Sequence, residues 1–174
     1  MKKYIILIVV LVFGMQLTFS QTKSEKKAEK KEKQEQDYAA MKTLIETEQF
    51  TFEGNWATTQ SGRRINLIGN PNFLVLDKTT AKGDLPYFGV VQMTSYGGGG
   101  GIKFDGSIKD YKLNFNDKKR VATITYSINN NSENFTVTIR VFSLESASVV
   151  VFSSYRNSIT YNGSITALDA EKED

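Results

Sequence analysis

Val121-Ala122-Thr123-Ile124-Thr125-Tyr126-Ser127-Ile128 has one of the clearest alternations of apolar and polar side chains in the chain, beginning at Ala122. A period of two predicts a β-strand with one face toward a core and the other toward water. Residues 134–142 repeat the pattern, with Phe135 and Val137 alternating against Thr136 and Thr138. One wet and one dry face is typical of an antiparallel sheet.

On both sides of this stretch, short apolar or alternating runs recur. They are separated by turn-like connectors rather than by helical patterns. They predict strands at residues 50–56, 64–67, 73–76, 87–93, 102–108, 111–115, 120–128, 134–142, 147–153 and 158–165. Strands at this spacing favour a closed or two-layered β architecture. We therefore expect a mainly β fold, an antiparallel β-barrel or β-sandwich of about 8–10 strands, with an N-terminal amphipathic helix.

The segment before the strands is rich in lysines and acids and contains neither Gly nor Pro. Residues 21–35 hold almost no apolar side chain, which predicts a charged tether or a frayed, solvated helix. Over residues 36–48, by contrast, Tyr38, Met41 and Ile45 share one helical face. The sequence thus predicts a single β domain with a leading helix at 36–168, followed by a C-terminal tail at 169–174.

The first residues have the order of a secretory signal: Lys2 and Lys3, an apolar run at 4–13 and small residues at Thr18 and Ser20. The run is shorter than the about 20 residues that a membrane-spanning helix needs. We expect a cleavable signal peptide at 1–20 and a periplasmic or secreted protein, although an uncleaved N-terminal anchor stays open. Since the chain lacks cysteine, it is not expected to be a lipoprotein.

The composition excludes whole classes of chemistry, because the chain has no cysteine and no histidine. Thiol nucleophiles, thiolate or histidine metal sites and Ser-His-Asp hydrolases all require one of these residues. Without Lys2 and Lys3 the chain has 20 basic against 19 acidic residues, which gives no reason to expect nucleic acid as a partner. We expect no enzyme, no cofactor and no integral membrane span after signal cleavage.

Aromatic side chains near strand ends are the candidate ligand-binding residues, since they offer apolar area for a ligand. A glycine tract at 97–101 beside them is either a mobile hairpin connection or a flexible flap over a pocket. The candidates for ligand binding are Trp56, Tyr87, Phe88, Tyr96, Phe104 and Tyr161.

One pattern occurs twice. Ile102-Lys103-Phe104-Asp105-Gly106-Ser107-Ile108 returns as Ile159-Thr160-Tyr161-Asn162-Gly163-Ser164-Ile165. In both copies the isoleucines, the aromatic residue and the glycine share one face. A glycine inside a strand marks a bulge, a bend or a close approach, so we expect two equivalent bends around a core, with a ligand near the glycines as the alternative.

Several short patterns together resemble domain-of-unknown-function family 4251, over about residues 25–167. Besides the charged helix and the glycine tract, they are Gln49-Phe50-Thr51-Phe52-Glu53, Asn72-Phe73-Leu74-Val75-Leu76-Asp77, Leu85-Pro86-Tyr87-Phe88-Gly89, Ile102-Lys103-Phe104-Asp105-Gly106 and Asn157-Ser158-Ile159-Thr160-Tyr161-Asn162-Gly163. The resemblance implies an envelope protein of a Gram-negative bacterium. It implies no activity, cofactor or catalytic residue.

Two functions from different classes follow. The first is a non-enzymatic exported β module that binds or scaffolds in the cell envelope, with an unknown envelope protein as its partner. The alternative is a lipocalin-like carrier of a small apolar ligand, because a barrel of about eight strands is wide enough to hold one. A carboxylate-based hydrolase would require two acids that converge in a cleft.

Overall fold

The structure is a computed structural model that describes residues 23–90, 100–130 and 133–168. The predicted signal peptide at 1–20, Tyr96, most of the glycine tract and the C-terminal tail lie outside these residues. The chain divides into two compact units at the boundary between Glu35 and Gln36. The second unit contains all the strands.

Within the described residues, one helix precedes nine strands. Helix α1 spans Lys23–Glu46. The strands are β1 (Gln49–Thr59), β2 (Arg64–Asn66), β3 (Phe73–Asp77), β4 (Thr80–Pro86), β5 (Gly101–Asn116), β6 (Val121–Asn130), β7 (Glu133–Ser143), β8 (Ser146–Ser153) and β9 (Ile159–Ala167).

The strands form a closed antiparallel barrel. From β3 to β9 each strand pairs with the next one in the chain, and β9 returns to pair with β1 from Phe50↔Ala167 to Thr59↔Ile159. The other edge of β1 pairs first with β3 and then with β2. Eight strands therefore close the barrel, and β2 is an extra strand on the outside of the closure. The structure confirms the mainly β prediction and decides for the barrel over the sandwich.

Two sequence-based boundaries are wrong. The strand predicted at 87–93 is not formed over 87–90, and the strand of this region lies earlier, at Thr80–Pro86. The strands predicted at 102–108 and 111–115 are one continuous strand, β5, with a register shift between Lys109 and Lys112. Of the two alternatives for the charged segment, the structure has the solvated helix, which begins at Lys23 and continues into the predicted amphipathic helix.

The core lies inside the barrel. Alternate residues of the closing strands are buried, and their largest side chains include Phe50, Phe52, Tyr126, Phe135 and Tyr161. These side chains belong to one contiguous apolar cluster. The interior of an eight-stranded barrel is just wide enough for side chains to fill or for one small ligand, so the large aromatic residues take up much of that width.

The second half of α1 packs on the barrel. Met41 and Ile45 are fully buried in the same apolar cluster as the strands, which confirms the predicted apolar face. The Tyr38 hydroxyl donates a hydrogen bond of 2.8 Å to Asp117, in the turn between β5 and β6. Lys42 lies 3.5 Å from the same carboxylate. Through these contacts the second half of α1 packs at the barrel end that contains the β5–β6 turn.

Candidate functional site

The opposite end of the barrel holds two of the six predicted ligand-binding residues, Tyr87 and Phe88. In an antiparallel barrel, alternate connections meet at the same end, and this end holds residues 60–63, 87–90 and 154–158 together with the ends of β6 and β7. Tyr87 and Phe88 follow β4 at this end. The site is thus made of loops that only the closed barrel brings together.

An ion pair between Arg156 and Glu133 fixes two of these connections. The Arg156 Nε lies 2.8 and 3.1 Å from the two carboxylate oxygens, and Nη2 lies 3.0 Å from one of them. Nη1 donates to the Gly101 carbonyl oxygen at 3.0 Å, and the Ser153 hydroxyl donates to Glu133. The two charged side chains are 14% and 11% exposed. Because the Arg156–Glu133 ion pair is bidentate and charge-assisted, it holds the loop at residues 154–158 more firmly than an exposed ion pair would.

Tyr87 ties residues 87–90 to the same loop. Its hydroxyl lies 2.8 Å from the carbonyl oxygen of Val90 and 3.0 Å from that of Asn157. The Arg156 guanidinium stands 5.3 Å from the centre of the Tyr87 ring, within cation–π range. Burial raises the pKa of Tyr87, while the nearby Arg156 acts in the opposite direction. The hydroxyl therefore stays protonated and works as a structural donor.

Tyr161 and Phe104 lie beneath this end, inside the core. Tyr161 is fully buried and its hydroxyl donates to the Pro86 carbonyl oxygen at 2.8 Å. Burial is also the main reason that its pKa is raised. Phe104 packs against Phe135, with ring centroids 5.6 Å apart. Both predicted residues support the site from below, and neither lines the cleft described next.

A cleft of about 440 Å³ opens at this barrel end. Its volume falls within the range of about 300–1,000 Å³ that is usual for ligand sites. Among the described residues that line it, Arg63 is the only charged one, and Phe88 and Val90 supply the large apolar side chains. The cleft is lined by Thr59, Gln60, Ser61, Arg63, Phe88, Gly89, Val90 and Asn157.

Trp56 lies apart from the barrel end. Phe50, Phe52 and Ala57 of β1 point inward, whereas Trp56 points outward and pairs with Asn162 of β9. It lines a second cleft, of about 350 Å³, on the outer wall. Of the predicted ligand residues, the structure therefore brings Tyr87 and Phe88 together at one end, places Tyr161 and Phe104 beneath them and separates Trp56. Tyr96 falls outside the described residues.

Sequence reasoning missed Arg156 and Glu133, which hold the site together. The two residues are far apart in the chain, and their meeting depends on the β7–β8 register, in which Phe135 pairs with Ser153. A predicted β7–β8 hairpin in this register would have placed Glu133 just before Phe135 and Arg156 just after Ser153, at the same end of the hairpin. Only this signal could have found them.

The described residues contain no cluster of three or more Asp or Glu side chains arranged to hold a metal ion. Nor does any helix within the described ranges have the length and apolarity to cross a membrane.

Comparison with known proteins gives a family and a fold. A family model described as "Domain of unknown function (DUF4251)" matches residues 32–165. A crystal structure at 1.95 Å resolution of a DUF4251 family protein from Bacteroides eggerthii DSM 20697 is similar to this chain, with a TM-score of 0.57 and 22% sequence identity over 77% of this chain and 87% of that one. At that identity the likeness shows the fold alone. None of the curated proteins matches the chain significantly.

Proposed function

The chain belongs to the DUF4251 family, and on that premise we propose that it is an exported, non-enzymatic β-barrel that binds or scaffolds an envelope protein through its end cleft. The family match confirms the resemblance seen in the sequence, and it carries no activity with it. The proposal therefore rests on the residues of this chain.

The observation that carries the proposal is the way the cleft is built. Its apolar side chains, Phe88 and Val90, face polar groups of the β1–β2 turn, among them Gln60 and Arg63. A mixture of apolar surface and a few polar groups is typical of binding sites. The Arg156–Glu133 pair and the Tyr87 hydroxyl hold the cleft's loops in place, so little conformational entropy would be lost on binding.

The composition supports a binding role over catalysis. Histidine and cysteine are absent from the chain, which removes the most common general base and the thiol nucleophile. Export is supported by Lys2 and Lys3 before the apolar run at 4–13.

Site-specific crosslinking tests the proposal. A photo-crosslinking amino acid replaces Gln60, at the cleft, in the full chain expressed in its host, and Lys118, in the β5–β6 turn at the other end, is the matched control. We expect one discrete adduct in the envelope fraction from position 60, its loss when Arg63→Glu is added, and none from position 118. Equal labelling from both positions, or no adduct from position 60 in folded protein, would refute the proposed binding end.

One observation favours the carrier as a second candidate. The hydroxyl of Tyr126 is fully buried inside the barrel and has no hydrogen-bond partner among the described residues. A buried, unpaired hydroxyl costs about 1–3 kcal/mol, which a polar group on an enclosed ligand would offset. Native mass spectrometry of the purified protein, compared with the denatured mass, separates the two functions. A reproducible excess of a few hundred daltons that Tyr126→Phe reduces supports the carrier, whereas the bare polypeptide mass supports the binding module.

A further inference from the structure

The outer cleft around Trp56 is built by an irregularity in β1. The register with β9 shifts between Gly54 and Trp56, so that Asn55 is an extra residue, a β-bulge. Bulges redirect side chains and are over-represented beside functional sites. On the other edge of β1, the Asn55 carbonyl oxygen accepts a hydrogen bond of 2.9 Å from the Leu67 N–H. The bulge is therefore held on both sides and presents Asn55 and Trp56 to the outside.

An arginine holds the Trp56 ring in position. The Arg64 guanidinium of β2 lies 4.2 Å from the ring centre, and such a contact stabilises by about 0.5–1 kcal/mol at an exposed site. The ring is partly buried and lines the cleft. Nearby, Phe142 and Ile68 are 43% and 70% exposed, which is unusual for side chains of that size. Aromatic and aliphatic side chains are thus exposed to solvent together around this cleft.

Polar side chains surround this apolar surface and have hydrogen-bonding capacity to spare. Within the described part of the chain, no hydrogen bond or ion pair is made by the side chains of Asn55, Asn162, Glu145 or Ser146. All four line the cleft of about 350 Å³, together with Trp56, Ile68, Phe142, Ala147 and Gly163. Two amides, a carboxylate and a hydroxyl supply both donors and acceptors. Among the described residues that line the cleft there is no lysine or arginine, and the two neighbouring guanidinium groups, of Arg64 and Arg140, lie over the Trp56 and Phe142 rings.

From this arrangement we propose that the Trp56 cleft binds a neutral oligosaccharide. One face of a sugar ring carries C–H groups of partial positive charge, which complement the negative face of an aromatic ring. Its hydroxyls both donate and accept, as the amides of Asn55 and Asn162 and the carboxylate of Glu145 require. The Trp56 cleft is separate from the end cleft, so the failure of either binding proposal would not refute the other.

The chemistry of the cleft argues against the other classes of ligand. The Glu145 carboxylate in the lining disfavours phosphates and nucleic acids, and the guanidinium groups of Arg64 and Arg140 are engaged with the aromatic rings. A peptide that adds a strand needs a free strand edge, but here β9 pairs with β1 and β8 on its two sides. The cleft is therefore expected to recognise its ligand through side chains, as a sugar would require.

The chain reports on this site directly, because Trp56 is its only tryptophan. The experiment titrates the protein, purified from bacteria that express the full chain, with maltotriose, cellotriose and triacetylchitotriose up to 20 mM. Tryptophan fluorescence and saturation-transfer NMR are both recorded. We expect a saturable change with at least one trisaccharide. Asn162→Ala should weaken its binding at least fivefold, whereas Asn114→Ala, an exposed asparagine of β5, should leave it unchanged.

Two outcomes of the titration would overturn the proposal. One is no change by either method with all three sugars at 20 mM, in protein whose β-sheet circular dichroism is intact. The other is a change that trialanine produces and the sugars do not, which would make the cleft a peptide site. Equal weakening by the Asn162 and Asn114 variants would also contradict it, since binding would then not be localised to the cleft.

Discussion

The side-chain amide of Asn72 makes two hydrogen bonds to the backbone of Gly54: it accepts from the Gly54 N–H at 2.8 Å and donates to the Gly54 carbonyl oxygen at 2.9 Å. On this edge, β1 pairs with β3 through Phe52 and with β2 from Trp56 onward. Gly54 lies in the gap between them. A single buried side chain thus supplies the pairing that no strand provides, at the point where the bulge begins.

Replacing Asn72 should therefore destabilise the barrel. Asn72→Ala leaves a buried N–H and a buried carbonyl oxygen unpaired, and each costs about 1–3 kcal/mol. We expect the free energy of unfolding in urea to fall by about 2–4 kcal/mol. Asn114→Ala, at an exposed position, should change it by less than about 0.5 kcal/mol. A loss below 1 kcal/mol for Asn72→Ala would show that water replaces the amide.

The two glycines of the internal repeat should respond differently to alanine, although their sequences match. A Cβ on Gly163 would lie 1.8 Å from the Glu53 carbonyl oxygen, whereas one on Gly106 would meet nothing within 4 Å. We expect Gly163→Ala to destabilise by about 3 kcal/mol or more, since β1 and β9 would have to separate. Gly106→Ala should be neutral or stabilise by up to about 1 kcal/mol. Similar thermal melting shifts for the two variants would contradict this difference.

Tyr126 and Tyr161 form a second matched pair. The Tyr161 hydroxyl donates to Pro86, while that of Tyr126 has no partner among the described residues. Tyr161→Phe should therefore cost about 1 kcal/mol of unfolding free energy, and Tyr126→Phe should raise it by a similar amount. If Tyr126→Phe is instead destabilising, its hydroxyl has a bound partner inside the barrel, which favours the carrier.

The Arg156–Glu133 pair should matter far more than exposed pairs. Glu133→Gln leaves a largely buried guanidinium without its counter-charge, so we expect a loss of about 2–4 kcal/mol in urea unfolding. The matched control is Lys82→Ala, which removes an exposed cross-strand pair with Asp105 and should cost less than about 1 kcal/mol. Equal effects would mean that solvent screens the end of the barrel.

Stability should decline in alkali. Burial, with a contribution from Asp117, raises the pKa of Tyr38 to about 12, and burial with Glu48 raises that of Tyr111 to about 12. A folded-state pKa above the ordinary value of about 10 means that the unfolded chain loses its protons first. The stabilisation is therefore complete below pH 10 and is lost as the pH rises toward 12.

Urea unfolding at pH 8.0, 10.0 and 11.5 measures this decline. The double variant Tyr38→Phe with Tyr111→Phe should flatten it, although buried Tyr126 and Tyr161 still contribute. An equally steep decline in the double variant would assign the effect to other groups.

Local patterns made the strands and the helix face predictable. The alternation of Ala122, Ile124 and Tyr126 depends only on the pleat of a single strand, and all three are buried in the barrel. Met41 and Ile45 lie on one face because of the helical period alone. Tyr87 and Phe88 remain predicted ligand-binding residues, chosen as large apolar side chains beside a strand end.

The position of β4 could not be read locally. Lys82, Gly83 and Asp84 look like a loop, yet they form a strand because β3 and β5 pair with them on both sides. The more apolar Tyr87 and Phe88 were mistaken for strand, whereas Tyr87 in fact bonds to loop carbonyls. Pairing with neighbours outweighed intrinsic β-propensity, which is weak and depends on context.

Composition and local pattern predict the two-faced strands and exclude chemistry that needs histidine or cysteine. The closure of the sheet from β9 onto β1, and with it which loops share an end, depends on contacts between distant segments. Arg156 meets Glu133, and Asn72 meets Gly54, because strand register brings distant residues together. Register is a property of pairs of strands, so no single segment of the chain contains it.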